Sequence, residues 1–137
     1  MVYRTTFLLI LALSAFSGSA WAGGCIQSQA LGTWVNPFAG YKSDVTKLEI
    51  REICTSETVP HIQVKTYTAC SRRDCTWGRS IAKVTSGDGL TVSYNTFYAK
   101  RIVTVSINGK RMEASVLDDY YDSRKQNGHR SFVLWKE

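Results

Sequence analysis

The chain has 137 residues, 44% of them hydrophobic and 20% charged, and its 17 lysines and arginines outweigh 11 acids to give a formal charge of +6. That length builds one domain with its own core and excludes two ordinary ones. The positive balance favours anionic partners without naming one, and no nucleic acid is expected.

At the N-terminus Arg4 precedes an apolar run at residues 7–16, and Ala20-Trp21-Ala22 offers small residues at the two positions a signal peptidase reads. This is the pattern of a secretory signal peptide over residues 1–22. The run falls well short of the roughly 20 residues that span a bilayer. No second run follows, so no transmembrane segment is expected and the protein is placed in the periplasm or secreted. Cleavage after Ala22 removes one charged residue, Arg4, and leaves residues 23–137 as a single domain with a formal charge of +5. Ala22-Gly23-Gly24-Cys25 is also close to a lipoprotein processing box, although the usual leucine three residues before the cysteine is absent. A lipid anchor at Cys25 is therefore the second reading of this end, and it would leave an odd number of cysteines.

Four cysteines remain, Cys25, Cys54, Cys70 and Cys75, which in an oxidising compartment predict two disulfides. Of the three connectivities, Cys70 with Cys75 and Cys25 with Cys54 is favoured, because a four-residue hairpin loop brings its flanking residues within bridging distance. The competing zinc reading lacks paired C-x2-C spacing, and His61 and His129 lie far from the cysteines. No metal and no cofactor are expected.

Eight strand-like runs follow, separated by Gly, Asn, Asp and Ser clusters. The first spans 31–36 and ends at Pro37. The second, Val45–Ile53, alternates Leu48 and Ile50 against Lys47, Glu49 and Arg51, and the third, 59–70, alternates Ile62, Val64, Thr66 and Thr68 against polar neighbours. Such period-2 patterning suits a sheet with one solvated face. The fourth, 75–85, is ambiguous in facing, since Trp77 and Ile81 oppose Ala82 and Val84. Runs at 90–98 and 101–107 come next, the latter aligning Val103, Val105 and Ile107. Asn108-Gly109 then gives a strong hairpin signal. The seventh, 112–121, aligns Met112, Ala114 and Val116, and the eighth, 130–136, aligns Phe132 and Leu134.

Eight strands with mostly short connections predict an all-β fold, an eight-stranded antiparallel up-and-down β-barrel stapled by disulfides; a two-sheet sandwich is the alternative. The inward positions include the small or mildly polar Thr66, Thr68, Thr96 and Ala114. They leave open an interior cavity or an interior plugged by larger neighbours.

Gly32-Thr33-Trp34, on the first strand of such a meander, resembles the G-x-W signature of calycin barrels, and residues 31–36 resemble the first strand of avidin-type proteins. The lipocalin resemblance implies a basic side chain from the end of the last strand lying over the tryptophan. Lys136 fits that role better than Arg130. The avidin resemblance implies a biotin contact at Asn36, but the serine expected four residues later is replaced by Gly40. The segment 69–78 also resembles one found in small secreted bacterial proteins of undefined role.

Neither histidine sits in a motif with a nucleophile or metal partner, so the chain is not read as an enzyme. Asp118-Asp119-Tyr120-Tyr121-Asp122 lacks calcium-loop spacing and reads as a solvated strand end. In a meander alternate loops share one rim, here 37–44, 71–74, 99–100 and 122–129. That rim gathers Lys42, Arg72, Arg73, Lys100, Arg101, Arg124, Lys125 and Arg130 against Asp44, Asp74 and Asp122, with Phe38, Tyr41, Trp77, Phe97, Tyr98, Tyr120 and Tyr121 in or beside the same loops. Guanidinium groups clamp anions while aromatic faces stack on partners. The expected function is therefore an exported binding protein for a small anionic or amphipathic ligand, held at a rim or cavity by Arg72, Arg73, Trp77, Tyr98, Lys100, Arg101, Arg124 and Lys125. The alternative is a secreted inhibitor or interaction module whose Cys70–Cys75 loop meets an acidic protein surface.

Overall fold

The computed structural model describes residues 25–26 and 28–137; the signal segment read at residues 1–22 lies outside them. Eight strands run in chain order as β1 (Gly32–Val35), β2 (Val45–Ile53), β3 (His61–Thr68), β4 (Cys75–Val84), β5 (Leu90–Asn95), β6 (Ala99–Asn108), β7 (Arg111–Tyr120) and β8 (Gly128–Lys136). Each pairs antiparallel with its sequence neighbours, and β8 closes on β1 through Trp34 opposite Lys136 and Val35 opposite Trp135. The result is a closed eight-stranded antiparallel barrel with no edge strand left unpaired among the described residues, which disposes of the sandwich alternative.

Alternation sets the inner face. On β3 every second residue from Ile62 to Thr68 is buried, and β7 repeats this from Met112 to Asp118. Trp34, Leu48, Ile62, Val64, Leu90, Val103, Met112, Val116 and Leu134 are all buried to within 2% of completely, so these side chains leave no room for a ligand among them. The small threonines are absorbed into this packing. Thr66 Oγ1 donates to the Tyr94 hydroxyl at 2.9 Å, and that hydroxyl donates to the Val64 carbonyl at 2.7 Å. The interior is plugged, and Thr96 does not face it: β5 ends at Asn95, and the Thr96 hydroxyl instead donates to the Ala99 carbonyl within the β5–β6 turn.

A bulge explains the ambiguous fourth strand. Thr66 pairs with Gly78 while Tyr67 pairs with Thr76, which leaves Trp77 as the extra residue. Gly78 supplies the positive φ of +88° that this irregularity needs. The change of phase lets Trp77 turn inward at one end of the barrel while Ala82 faces the core and Ile81 faces solvent. The β6–β7 turn lies one residue later than Asn108-Gly109 suggests. Asn108 pairs with Arg111, so Gly109 and Lys110 form the turn, and positive φ falls on Gly109 alone, as in a type II′ hairpin.

The disulfides are Cys25–Cys54 and Cys70–Cys75, each with a Cα separation of 5.6 Å. Cys25, Glu52 and Cys54 lie close together, but both sulfurs are bonded to each other and cannot serve as thiolate ligands. The first bridge secures the base of the barrel. There the Trp34 indole N–H donates to the Ala30 carbonyl at 2.8 Å, and Lys136 Nζ lies 5.4 Å from the centre of the Trp34 ring. Gly32 has a φ of +123°, and a Cβ there would stand 3.2 Å from Lys136 Cε, so the glycine makes room for the covering side chain.

Candidate anion site at the barrel mouth

The opposite end carries the loops 36–44, 69–74, 96–98 and 121–127, which hydrogen bonds tie together in pairs. Ser43 N–H donates to the Ala69 carbonyl and Ala69 N–H to the Asp44 carbonyl, while Tyr121 N–H donates to the Tyr98 carbonyl. Arg130 reaches from β8 to the Ser43 carbonyl, at 2.7 Å.

Beneath these loops the inner face of three adjacent strands ends in charge. Tyr94, Arg101, Asp118 and Gly128 are successive cross-strand partners on β5, β6, β7 and β8, and Arg130 lies one inward position deeper, opposite Val116. Arg101 is 7% exposed and Asp118 4% exposed. Arg101 Nε stands 3.3 Å from Asp118 Oδ1, close enough for an ion pair, yet neither atom has an aligned hydrogen-bond partner. Arg130 Nη2 donates to Asp118 Oδ2 at 3.1 Å. Two guanidinium groups therefore share one carboxylate, and the buried cluster carries an excess positive charge.

Aromatic rings complete the walls. The Arg101 guanidinium lies 4.6 Å from the centre of the Trp77 ring and 5.3 Å from that of Tyr98, whose hydroxyl it also bonds. Trp77 meets Tyr94 edge-on at 5.7 Å. Tyr98 stacks on Tyr120 at 6.4 Å, and Lys125 Nζ sits 4.9 Å from the Tyr120 centre. An open cleft of about 540 Å³ lies between Tyr98, Arg101, Asp118, Tyr120, Lys125 and Arg130. Guanidinium groups beside exposed aromatic faces can hold a carboxylate, phosphate or sulfate and stack on whatever carries it.

The residues expected from sequence divide into three places. Tyr98, Arg101 and Lys125 line the cleft, and Trp77 stacks against Arg101 without lining it. Arg72 and Arg73 instead line a separate recess of about 670 Å³ with Lys42 and the stapled hairpin. Lys100 and Arg124 stand apart. Lys100 is exposed opposite Asp119, because β6 begins at Ala99 and residues 99–100 belong to the strand rather than to a loop. Arg124 forks onto Asp122 with two bonds of 3.0 Å, which hold the Asp122 carboxyl below its usual range.

Asp118 is a correction of another kind. It is no solvated strand end but the buried counter-charge of the cluster, placed there because the inward stripe of Met112, Ala114 and Val116 continues one step further. Tyr94, within the strand run at 90–98, carries a further polar group into the interior. Its hydroxyl is bonded within the core, and burial pushes its pKa up to about 12. Asn36, the biotin contact implied by the avidin resemblance, is spent internally: its amide donates to the Val45 carbonyl at 2.8 Å and its Oδ1 accepts from Phe38 N–H at 3.0 Å. Comparison with models of protein families, with curated proteins and with solved structures finds no match.

Proposed function

We propose that this is an exported binding protein that holds a small anionic or amphipathic ligand at the barrel mouth by the ligand's acid group. The observation that carries the reading is the sharing of the buried Asp118 between Arg101 and Arg130 at the floor of an aromatic cleft. An incoming carboxylate or phosphate supplies the second negative charge that two guanidinium groups can accept, and Tyr98 and Tyr120 offer faces to its apolar body. The plugged interior favours a ligand held at the mouth over one enclosed in the barrel. Two disulfides and the N-terminal signal pattern support an oxidising compartment, periplasmic or extracellular. The Gly32-Thr33-Trp34 strand with Lys136 over the ring supports kinship with the lipocalin branch of the calycin barrels.

Titration calorimetry with benzoate, an aliphatic carboxylate, phenyl phosphate and inorganic sulfate tests this. Saturable binding of at least one anion, weakened about tenfold or more by Arg101→Met, is expected. No binding at millimolar anion, or binding indifferent to Arg101→Met in a folded variant, would refute it.

A second reading rests on the exposure of Arg72, Arg73 and Asp74 at the tip of the stapled hairpin. In it that loop meets an acidic protein surface as a preorganised wedge. Charge reversal at Arg72 and Arg73 that leaves every captured partner in place would exclude it.

A further inference from the structure

The rim presents large apolar side chains that are mostly exposed. Phe97 is 99% exposed, Phe38 84%, Tyr41 82% and Tyr121 58%, and all four stand on three loops at the same end of the barrel. The base exposes Val59 in a loop and Val84 and Trp135 at strand ends, with no phenylalanine or tyrosine at a loop tip among the described residues. Phe97 at the tip of the β5–β6 turn contributes almost no burial to folding, so its ring is left for something outside the chain.

Cations stand between these rings. Lys42, Arg72, Arg73 and Lys125 are exposed on the loops. Of the loop acids, Asp122 is paired with Arg124, while Asp44, which accepts from the neutral Gly40 and Tyr41 amides, and Asp74 keep their charge, so the four cations outnumber the opposing acids by two. Aromatic tips separated by positive charge do not form the contiguous apolar centre of a protein–protein interface. They do match the headgroup zone of an anionic bilayer, where aromatic rings sit at the level of the headgroups and basic side chains are drawn to the surface. The hydrogen bonds that tie the loops in pairs favour joint contact with one plane.

We infer that the rim of aromatic tips and basic side chains docks this protein on an anionic lipid bilayer surface, with the barrel mouth facing the headgroups. The inference does not depend on the mouth's own ligand. Each basic residue near such a surface is worth about fivefold in partitioning.

Vesicle co-sedimentation at low salt tests it, with phosphatidylcholine alone against phosphatidylcholine mixed with phosphatidylglycerol. Wild type and variants carry the same N-terminus, so any contribution from residues 7–16 cancels in the ratio. The wild type is expected to bind the mixed vesicles and to be released by salt. Arg72→Glu with Arg73→Glu should reduce binding by more than about tenfold. Phe38→Ser with Phe97→Ser should reduce it at unchanged charge. Both pairs lie on exposed tips, so folding is checked by near-UV circular dichroism, and both should leave small-anion titration at Arg101 intact. Equal binding to neutral vesicles, no vesicle binding, or full binding by both double variants would overturn the inference. So would self-association, or capture of an acidic protein through these residues, in place of vesicle binding. Loss of anion binding in Arg101→Met leaves this result untouched, so the two proposals fail separately.

Discussion

Replacing Asp118 by asparagine isolates the mouth cluster, because the shape is kept and one charge is removed. Arg101 is 7% exposed and loses its one carboxylate partner among the described residues, while Arg130 is less buried and keeps the Ser43 carbonyl. Removing one member of a buried pair costs about 3–5 kcal/mol. The Tyr98 hydroxyl and the Trp77 face still hold Arg101, which puts the expected loss at the lower end, about 3 kcal/mol. In a domain of this size that corresponds to a fall in Tm of roughly 10–15 °C. The lost charge also leaves a stronger anion site, so added anion should restore the variant by up to about 2.7 kcal/mol at a hundredfold excess over Kd. Urea unfolding followed by tryptophan fluorescence, in chloride and in benzoate at fixed ionic strength, measures both effects, with wild type as the control for general salt stabilisation. A loss below about 1 kcal/mol, or an equal anion response in wild type and variant, would show that Asp118 is not the internal counter-charge argued here. The triple variant Arg101→Met, Asp118→Leu and Arg130→Met should regain most of the loss, since it leaves no lone charge in the cluster.

The Tyr94 pKa is raised by burial from 10.0 to about 12. A raised pKa gives stability that is complete below pH 10 and is lost as pH climbs toward 12, amounting to about 2–3 kcal/mol. Urea midpoints across that range should therefore fall more steeply for wild type than for Tyr94→Phe, and parallel curves would rule the effect out. Replacing Cys70 and Cys75 by serine removes a bridge that closes a short loop and should cost about 2 kcal/mol, whereas removing Cys25–Cys54, with its separation of 29 residues, should cost about 3.5 kcal/mol. The reverse order by chemical denaturation would contradict the loop-entropy argument. Gly78→Ala meets no atom within 4 Å but must hold a φ of +88°, so it should lose about 1–2 kcal/mol through backbone strain alone. Unchanged stability would mean that the bulge relaxes.

The barrel was legible because its signals are local: alternation on β2, β3, β6 and β7, a glycine at the β6–β7 turn and a cysteine pair across a short loop. The facing of β4 was not, because the Trp77 bulge changes the phase of the alternation and can be located only against the β3 register. The charged cluster was half legible. Arg101, Asp118 and Arg130 each extend an apolar stripe by one inward step, from Val103, Val116 and Phe132 respectively. A stripe that ends in a charged residue reads equally as a strand leaving the core, and the sequence places the two arginines only by their nearness to loops of one rim. Only the closed register, which sets Arg101 opposite Asp118, turns three separate strand ends into one ionic group. Lys100 and Arg124 show the converse. Their sequence positions match the rim, but strand parity carries one outward and Asp122 occupies the other.

The mouth cluster is not required to close the barrel. The base is closed by Trp34 with Lys136 over its ring, and the layer beneath the mouth cluster already contains Val92, Val103 and Val116, with Tyr94 beside Arg101. Apolar residues at 101, 118 and 130 would cap this core without the desolvation cost of three charged groups, and such replacements are commonly neutral or stabilising. The arrangement is also charge-unbalanced and leaves Arg101 Nε and Asp118 Oδ1 without aligned hydrogen bonds, although both are buried. Of the two, only Arg101 Nε is a donor that an anion could satisfy; Asp118 Oδ1 is an acceptor. Two guanidinium groups on one carboxylate, bordered by Tyr98 and Tyr120 and open to a cleft, make physical sense when a second anion completes them. On the proposed reading an anion would stabilise the fold by the same contacts that recognise it, so thermal stability should rise with ligand in wild type and rise further in Asp118→Asn.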